Sequence, residues 1–238
     1  MSPNPPRPVG NRLLDALPQG NYEPLRPHLE QVSLSVGDIV YEPREQISHV
    51  YFPVTSHVSL LYTMMDGATA GMGLVGNEGV VGIALLMGAK SAPHRAVVQG
   101  GGNAFRLKAQ IIVNEFNLGG EFQSRLLRYT QALITQMSHT AVCNRLHSVE
   151  QRLCRWLLMT RDRTPSNELQ MTQEFMANIL GVRREGVTHA AHGLQKDGLI
   201  SYARGHITIL NRRQLEARVC ECYAVVKEAH ERLLGQVQ

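Results

Sequence analysis

Cysteine is scarce in this chain of 238 residues, with four in all and none before Cys143. That excludes a disulfide-stapled fold and makes a reducing cytoplasm the default expectation. No stretch approaches the roughly 20 apolar residues needed to cross a bilayer. The Pro-rich start, Met1 to Gly10, lacks the apolar segment of a secretory signal. A strong charge of either sign is missing too, since 24 Lys and Arg face 20 Asp and Glu for a net +4. There is no internal repeat, no nucleophile–base pattern, no metalloprotease motif and no nucleotide-binding loop. What the chain does have is 43% hydrophobic residues, enough for real cores and too many for a disordered chain. The length suits one large domain or two small ones.

The charge is unevenly placed. Residues 161–213 carry 8 basic and 5 acidic side chains, a net +3, with three histidines besides. A polyanion site is therefore sought there, although a solvated face has the same signature.

The periodicity divides the chain into four. Residues 1–30 are expected to form an N-terminal segment with short helices, the first ending at Pro18. Residues 31–116 read as a β-roll. Short runs at Val32–Val36, Ile39–Tyr41, Val50–Phe52, Val58–Tyr62, Ala96–Gln99 and Ala104–Leu107 are separated by turns such as Asp66-Gly67 and Gly100-Gly101-Gly102. Residues 117–147 read as one long helix, because Glu121 to Arg163 contains no Gly or Pro. Phe122, Leu126, Tyr129, Leu133, Gln136, Thr140 and Cys143 step by four and three along it. That stripe is either one face packed on the chain's own roll or a seam between two chains, and the seam is the expectation carried forward. A break is expected near His147-Ser148. Residues 148–238 then read as helix, linker at Thr164–Asn167, two short helices, a hairpin over Leu199–Leu210, and a last helix from Asn211 to about Leu234. The class is α+β.

The segment Met171–Ile200 holds the most chemistry. Thr172 suits a helix cap, and Gly181 supplies a left-handed turn. Ala177 and Val187 are sized for the crossing of two helices. Arg183, Arg184, Glu185 and Thr188 then fall on the first exposed turns of the second helix, where a recognition helix presents base-reading side chains. Arginine suits O6 and N7 of guanine, and glutamate suits N4 of cytosine. With the hairpin as a wing, this is a helix-turn-helix.

At these residues the chain resembles the Crp/Fnr (cyclic-AMP receptor protein and fumarate-nitrate regulator) family of bacterial transcription factors. Val182-Arg-Arg-Glu-Gly-Val187 resembles the family's recognition motif, with Arg184 and Glu185 at the matching positions and Gly186 replacing the usual hydroxyl residue. Val149–Leu158 resembles the helix that leads into the DNA-binding domain, and Asp197–Ile200 the junction into the wing. The resemblance implies an effector-type β-roll, a long dimerisation helix and a winged helix-turn-helix. It also implies a homodimer on a two-fold symmetric site in double-stranded DNA, with RNA polymerase as a further partner. The expected DNA-facing residues are Arg183, Arg184, Glu185, Thr188 and His189, with Thr172 and Gln173 on phosphates and Arg204 on the wing.

The effector pocket departs from the family. Its nearest match is Gly79-Val80-Val81-Gly82 followed by Arg95-Ala96. Val80 stands where a glutamate would hold the ribose, and Ala96 where a hydroxyl would meet the phosphate. Arg95 reads equally as an anion-binding residue or as half of a structural ion pair between roll and helix. Cyclic AMP is therefore not the expected effector, and no cofactor is assigned. The absence of cysteine before Cys143 argues against the family's iron–sulfur sensor. Cys143 and Cys154 read as small core residues. Cys220 and Cys222, placed on one helix, would point to different faces, and His189 and His192 have no further ligand nearby, so no metal site is expected.

The expectation is a cytoplasmic, membrane-free, homodimeric transcriptional regulator rather than an enzyme. The competing reading is a small-molecule-binding or enzymatic β-roll that uses its C-terminal part only for assembly.

Overall fold

The computed structural model describes residues 10–164 and 166–235. The Pro-rich start through Val9 and Pro165 of the expected linker lie outside the described residues.

The chain opens with two one-turn helices, α1 (Arg12–Asp15) and α2 (Gln19–Tyr22), and a 3₁₀ turn at Arg26–His28. Asn11 fixes this segment to the rest of the chain. Its side-chain oxygen accepts from the backbone N–H of Leu13 and Leu14, and its amide donates to the carbonyls of Pro53 and Gly79. Leu13, Leu14, Leu17 and Leu25 are consequently buried.

Seven strands come next: β1 (Glu30–Leu34), β2 (Ile39–Tyr41), β3 (His49–Pro53), β4 (His57–Thr63), β5 (Thr69–Val75), β6 (Arg95–Gly100) and β7 (Gly102–Lys108). They form two antiparallel sheets, one ordered β1-β7-β3 and the other β2-β6-β4-β5. Phe52, Val58, Leu60, Val98 and Leu107 fill a shared core. This is the expected roll, with β5 as an additional strand.

Helix α3 (Ala109–Asn117) leads into α4 (Gly120–Leu146), 27 residues long. The stripe read as an inter-chain seam instead packs within the chain. Phe122, Leu126, Tyr129 and Leu133 join the core of the roll, each at most 5% exposed. The polar members are satisfied there as well. Gln136 accepts from Leu74 N–H at 2.6 Å and donates to Leu74 C=O at 3.2 Å, so it completes edge strand β5 in place of a further strand. Thr140 accepts from Arg155 at 2.7 Å. The outward face of α4 carries Leu127, Ile134 and Ala141 at intervals of seven, flanked by Ser124, Gln131 and Ser138. Leu127 and Ile134 are 52% and 47% exposed.

The break comes where expected. His147 caps the end of α4, and Ser148 starts α5 (Val149–Arg161) with a capping box closed by Gln151. Beyond it lie β8 (Glu168–Gln170), α6 (Gln173–Leu180), α7 (Arg184–Lys196), β9 (Ile200–Ala203) and β10 (His206–Ile209). Strands β8, β10 and β9 form a small antiparallel sheet that begins directly after the expected linker.

The final helix is not continuous. It divides into α8 (Arg212–Arg218) and α9 (Cys222–Leu234), and the turn between them sends α9 back along α4. Neither Gly nor Pro marks the break.

Two cores result, one inside the roll and one around α5, α6, α7 and the wing. Three of their meeting points matter here. Helix α6 lies on β5, where a side chain at Gly71 would come within 2.8 Å of the Ile179 carbonyl oxygen. The Gln99 amide donates to Thr160 Oγ1 at 3.1 Å while its oxygen accepts from Ser59, all three groups being buried. Arg163 Nε lies 2.7 Å from Glu78 Oε1, with both side chains under 10% exposed. Burial pushes the Glu78 carboxyl up, but Arg163, His230 and backbone N–H groups more than offset it and hold it below its ordinary range.

Candidate nucleic-acid interface

Helix α6 begins at Thr172, whose Oγ1 accepts from Phe175 N–H at 3.1 Å. It ends at Gly181, in left-handed geometry with φ of +58°. Arg183 is extended (φ −69°, ψ 150°), which aims α7 across α6. Ala177, Val187, Ala190, Ala191 and Leu194 are buried in one core, and that fixes the rotation of α7. Its opposite face is then left outside. Arg184, Glu185, Thr188 and His189 lie along it, with Arg183 at its start.

The wing is a two-residue hairpin in which Ala203 pairs with His206. Arg204 (φ +49°) and Gly205 (φ +82°) both have positive φ, as a type I′ turn requires. An arginine in that conformation is held at a conformational cost, at the tip of an exposed turn. A groove runs between the start of α6, the outer face of α7 and this tip, lined by Thr172, Gln173, Arg184, His189 and Arg204. Of the residues expected from the sequence to face DNA, Thr172, Gln173, Arg184, Glu185, Thr188, His189 and Arg204 line this groove, and Arg183 does not.

Two features of the groove were not anticipated. Arg184 Nε donates to Gln173 Oε1 at 3.0 Å, so a side chain expected on a phosphate orients one expected on a base. His192 also lines the groove, one turn beyond Thr188 and His189. The spacing 185, 188, 192 was the available signal.

Residues 151–218 match the family model described as the Crp-like helix-turn-helix domain. Over these residues the chain is similar to Crp-like helix-turn-helix domains. Solved structures extend the likeness to the rest of the chain, as a shared fold. A Crp/Fnr-family protein of Eubacterium rectale superposes with a TM-score of 0.69 at 17% identity, over 87% of this chain and 96% of that one. FixK2 of Bradyrhizobium japonicum gives 0.69 at 17% identity, over 81% and 98%. A Crp/Fnr regulator of Thermus thermophilus gives 0.64 at 20% identity, over 79% and 97%. No curated protein sequence matches the chain. The fold is thus that of Crp/Fnr transcriptional regulators: β-roll, long helix and winged helix-turn-helix. Among the described residues, no helix is long and apolar enough to cross a membrane.

The residues that the resemblance offered as an effector pocket, Gly79, Val80, Gly82, Arg95 and Ala96, lie in a packed part of the roll. Gly79 gives its space to Tyr129 of α4, whose ring would lie within about 2.4 Å of any side chain there. The Tyr129 hydroxyl donates to the Val80 carbonyl at 3.2 Å. Val80 and Ala96 are buried at 1% and 0% exposure. Gly82 is left-handed, with φ of +101°, and a side chain on it would crowd the Tyr41 hydroxyl. The cavity beside Val80 and Gly82 measures about 20 Å³, and its lining includes Leu60, Val75 and Leu133. That is space for about one water, against the several hundred Å³ of a ligand pocket. Arg95 makes a two-pronged pair with Glu42, at 2.9 Å and 2.5 Å. Of its two open readings, an ion pair is present, but it closes within the roll, from Arg95 at the start of β6 to Glu42 just after β2, and not between roll and helix as expected. A larger cleft, about 360 Å³, lies outside the roll between Glu78, Asp162, Arg163, Tyr223 and His230.

The cysteines also depart from expectation. Cys220 lies in the turn before α9 and Cys222 at the first position of α9, so the face argument for a continuous helix does not apply. Both are buried beside Cys143.

Proposed function

We propose that the protein is a homodimeric, sequence-specific regulator of transcription in the cytoplasm, binding a two-fold symmetric site in double-stranded DNA, and not an enzyme. The observation that carries this reading is the convergence of Arg184, Glu185, Thr188 and His189 on the outward face of α7, with Arg183 at its start, between the start of α6 and Arg204. Two such helices, one per subunit, address half-sites about one helical turn, roughly 10 bp, apart. Arg184 pairs with a guanine and Glu185 with a nearby cytosine. Thr172, Arg204 and His189 meet phosphates, which set the register without specifying sequence. RNA polymerase is the further partner. The exposed Leu127–Ile134 face of α4 joins the two chains.

Cyclic AMP is not a tight effector in this reading. Val80 and Ala96 offer the nucleotide no polar partner, Arg95 is engaged by Glu42, and the roll cavity holds about one water. Titration calorimetry with cyclic AMP should give no micromolar isotherm.

Selection from random DNA tests the main reading. Wild type should return a symmetric motif with a guanine in each half-site. Arg184→Ala should cost about 1–3 kcal/mol per half-site and relax that guanine. An unchanged motif for Arg184→Ala would remove α7 as the reading element. No sequence-selective binding at all would favour the assembly-module alternative.

A further inference from the structure

Four groups that are far apart in sequence meet at the joint between α4 and α5. Cys143 is in the last turn of α4, and His147 caps it. Cys220 and Cys222 arrive from the turn into α9, 77 and 75 residues away from the groups they approach. Cys143 Sγ is 3.6 Å from Cys220 Sγ, and Cys222 Sγ is 3.7 Å from His147 Nδ1. All four atoms lie within 4.8 Å of one another.

The sulfur–sulfur and sulfur–nitrogen distances match two edges of a tetrahedron around one ion, and the 4.8 Å bound lets one ion reach all four atoms after small shifts. Zinc–sulfur bonds of about 2.3 Å and zinc–nitrogen bonds of about 2.0–2.1 Å imply edges of about 3.8 Å and about 3.6 Å. Buried thiols packed only as small apolar groups explain the three cysteines but not a ring nitrogen aimed at them. The ring's other nitrogen, Nε2, faces the Glu221 carboxylate at 3.3 Å. An acceptor there keeps the proton on Nε2 and leaves the Nδ1 lone pair toward the sulfurs, the usual support of a metal-binding histidine.

The surroundings also call for negative charge. Arg152 and Arg155 are 8% and 4% exposed, and the Nε of each lacks a hydrogen-bond partner among the described residues. Arg152 is within electrostatic reach of Cys143, and Arg155 of Cys222. Neither makes an ion pair with a carboxylate among the described residues, and two buried guanidinium groups left so are costly. Three thiolates around a divalent ion carry one net negative charge and face both.

We propose that Cys143, His147, Cys220 and Cys222 bind a single zinc ion that ties α9 to the α4–α5 joint. Sulfur and imidazole in tetrahedral array select zinc over the oxygen-seeking magnesium and calcium. Four protein ligands close the coordination shell, as in a structural site. Each bound thiol releases its proton on binding. The site explains why the last helix breaks without Gly or Pro, since the turn at Val219–Glu221 is what delivers both cysteines.

The test uses the full chain purified under reducing conditions without chelator. Elemental analysis should find one zinc per chain. After the zinc is stripped, cobalt(II) should bind one equivalent, with the visible bands of a tetrahedral site and near-ultraviolet thiolate charge transfer. The double variant Cys220→Ser, Cys222→Ser should lose both signals, whereas Cys154→Ala, in the other core, should keep them. Glu221→Gln should weaken cobalt binding about 10-fold. A folded wild-type chain with four free thiols that takes up neither metal overturns the proposal whatever the variants do. So does iron–sulfur absorption, or a Cys143–Cys220 disulfide in place of the metal.

Discussion

The two faces of α4 make opposite predictions for the same kind of substitution. Leu127 and Ile134 are about half exposed in the single chain. Burying a whole Leu or Ile side chain contributes about 1.5–3 kcal/mol, so the exposed halves of four such residues in a symmetric dimer offer about 3–6 kcal/mol. The double variant Leu127→Asp, Ile134→Asp forfeits that and sets carboxylates against their own symmetry mates. At about 1.4 kcal/mol per tenfold, dimerisation should weaken by at least about 10² to 10⁴. Each chain should stay folded, because these side chains contribute little to its own core.

Leu126 and Leu133 are 2% and 5% exposed within one chain. Truncating a buried Leu costs about 2–5 kcal/mol, and Asp adds a buried carboxylate. Two such changes rival the whole stability of a domain, about 5–15 kcal/mol. That double variant should unfold rather than dissociate. Sedimentation velocity and thermal melts on both variants decide the matter. A Leu127→Asp, Ile134→Asp protein that still sediments as a dimer would refute the proposed role of this face.

Three further predictions rest on single contacts. Gln173→Ala should both weaken DNA binding and relax the guanine preference, because Gln173 orients Arg184; a double-mutant cycle with Arg184→Ala, read by fluorescence anisotropy on matched and mismatched sites, should show coupling rather than additivity. Gln136→Leu should lower stability by about 2–4 kcal/mol in urea melts, since two backbone groups of Leu74 lose their partner at about 1–3 kcal/mol each and added apolar burial offsets part of that. His57 is held neutral by burial, with Arg163 also opposing its charge, so its pKa falls from 6.5 to about 4. The unfolded chain then binds more protons than the folded one between those values, and stability should fall by up to about 3 kcal/mol as pH drops from 6.5 to 4. His57→Gln should flatten that part of the stability–pH curve, and an undiminished slope would assign it to other groups.

Much of this architecture was legible because its signals are local. Thr172 caps, Gly181 turns, and Ala177 and Val187 alternate with charged residues at helical spacing, so the helix-turn-helix announces itself within 25 residues. Strand β5 was hidden because Thr69–Val75 holds two glycines and reads as turn. Gly71 is there because α6 approaches too closely for a side chain. The α4 stripe was visible, but its partner was not. A period of 3.5 says that a face is buried, not against which chain, and Gln136 looked out of place until the Leu74 backbone stood opposite it. The cysteine cluster was unreadable for a stronger reason. Its two halves lie more than 70 residues apart, and only the unmarked turn between α8 and α9 brings them together.

The same long-range contacts limit how a signal could act. Turning the helix-turn-helix relative to the roll must separate Glu78 from Arg163, and stripping one partner from a buried pair costs about 3–5 kcal/mol. It must also release Gln99 from Thr160 and lift α6 from Gly71. A ligand reverses a 1:99 equilibrium only by favouring one state by about 5.5 kcal/mol, and that differential has to come from contacts that change between the states. The roll cavity, at about 20 Å³, has no room for such contacts in this arrangement. The cleft of about 360 Å³ does, and Glu78 and Arg163 are in its wall. An anion or cation entering there would compete directly for one partner of the pair, repaying the charge it uncovers. Of the two cavities, only this one lies where a bound charge and the orientation of the DNA-binding domain share the same bond.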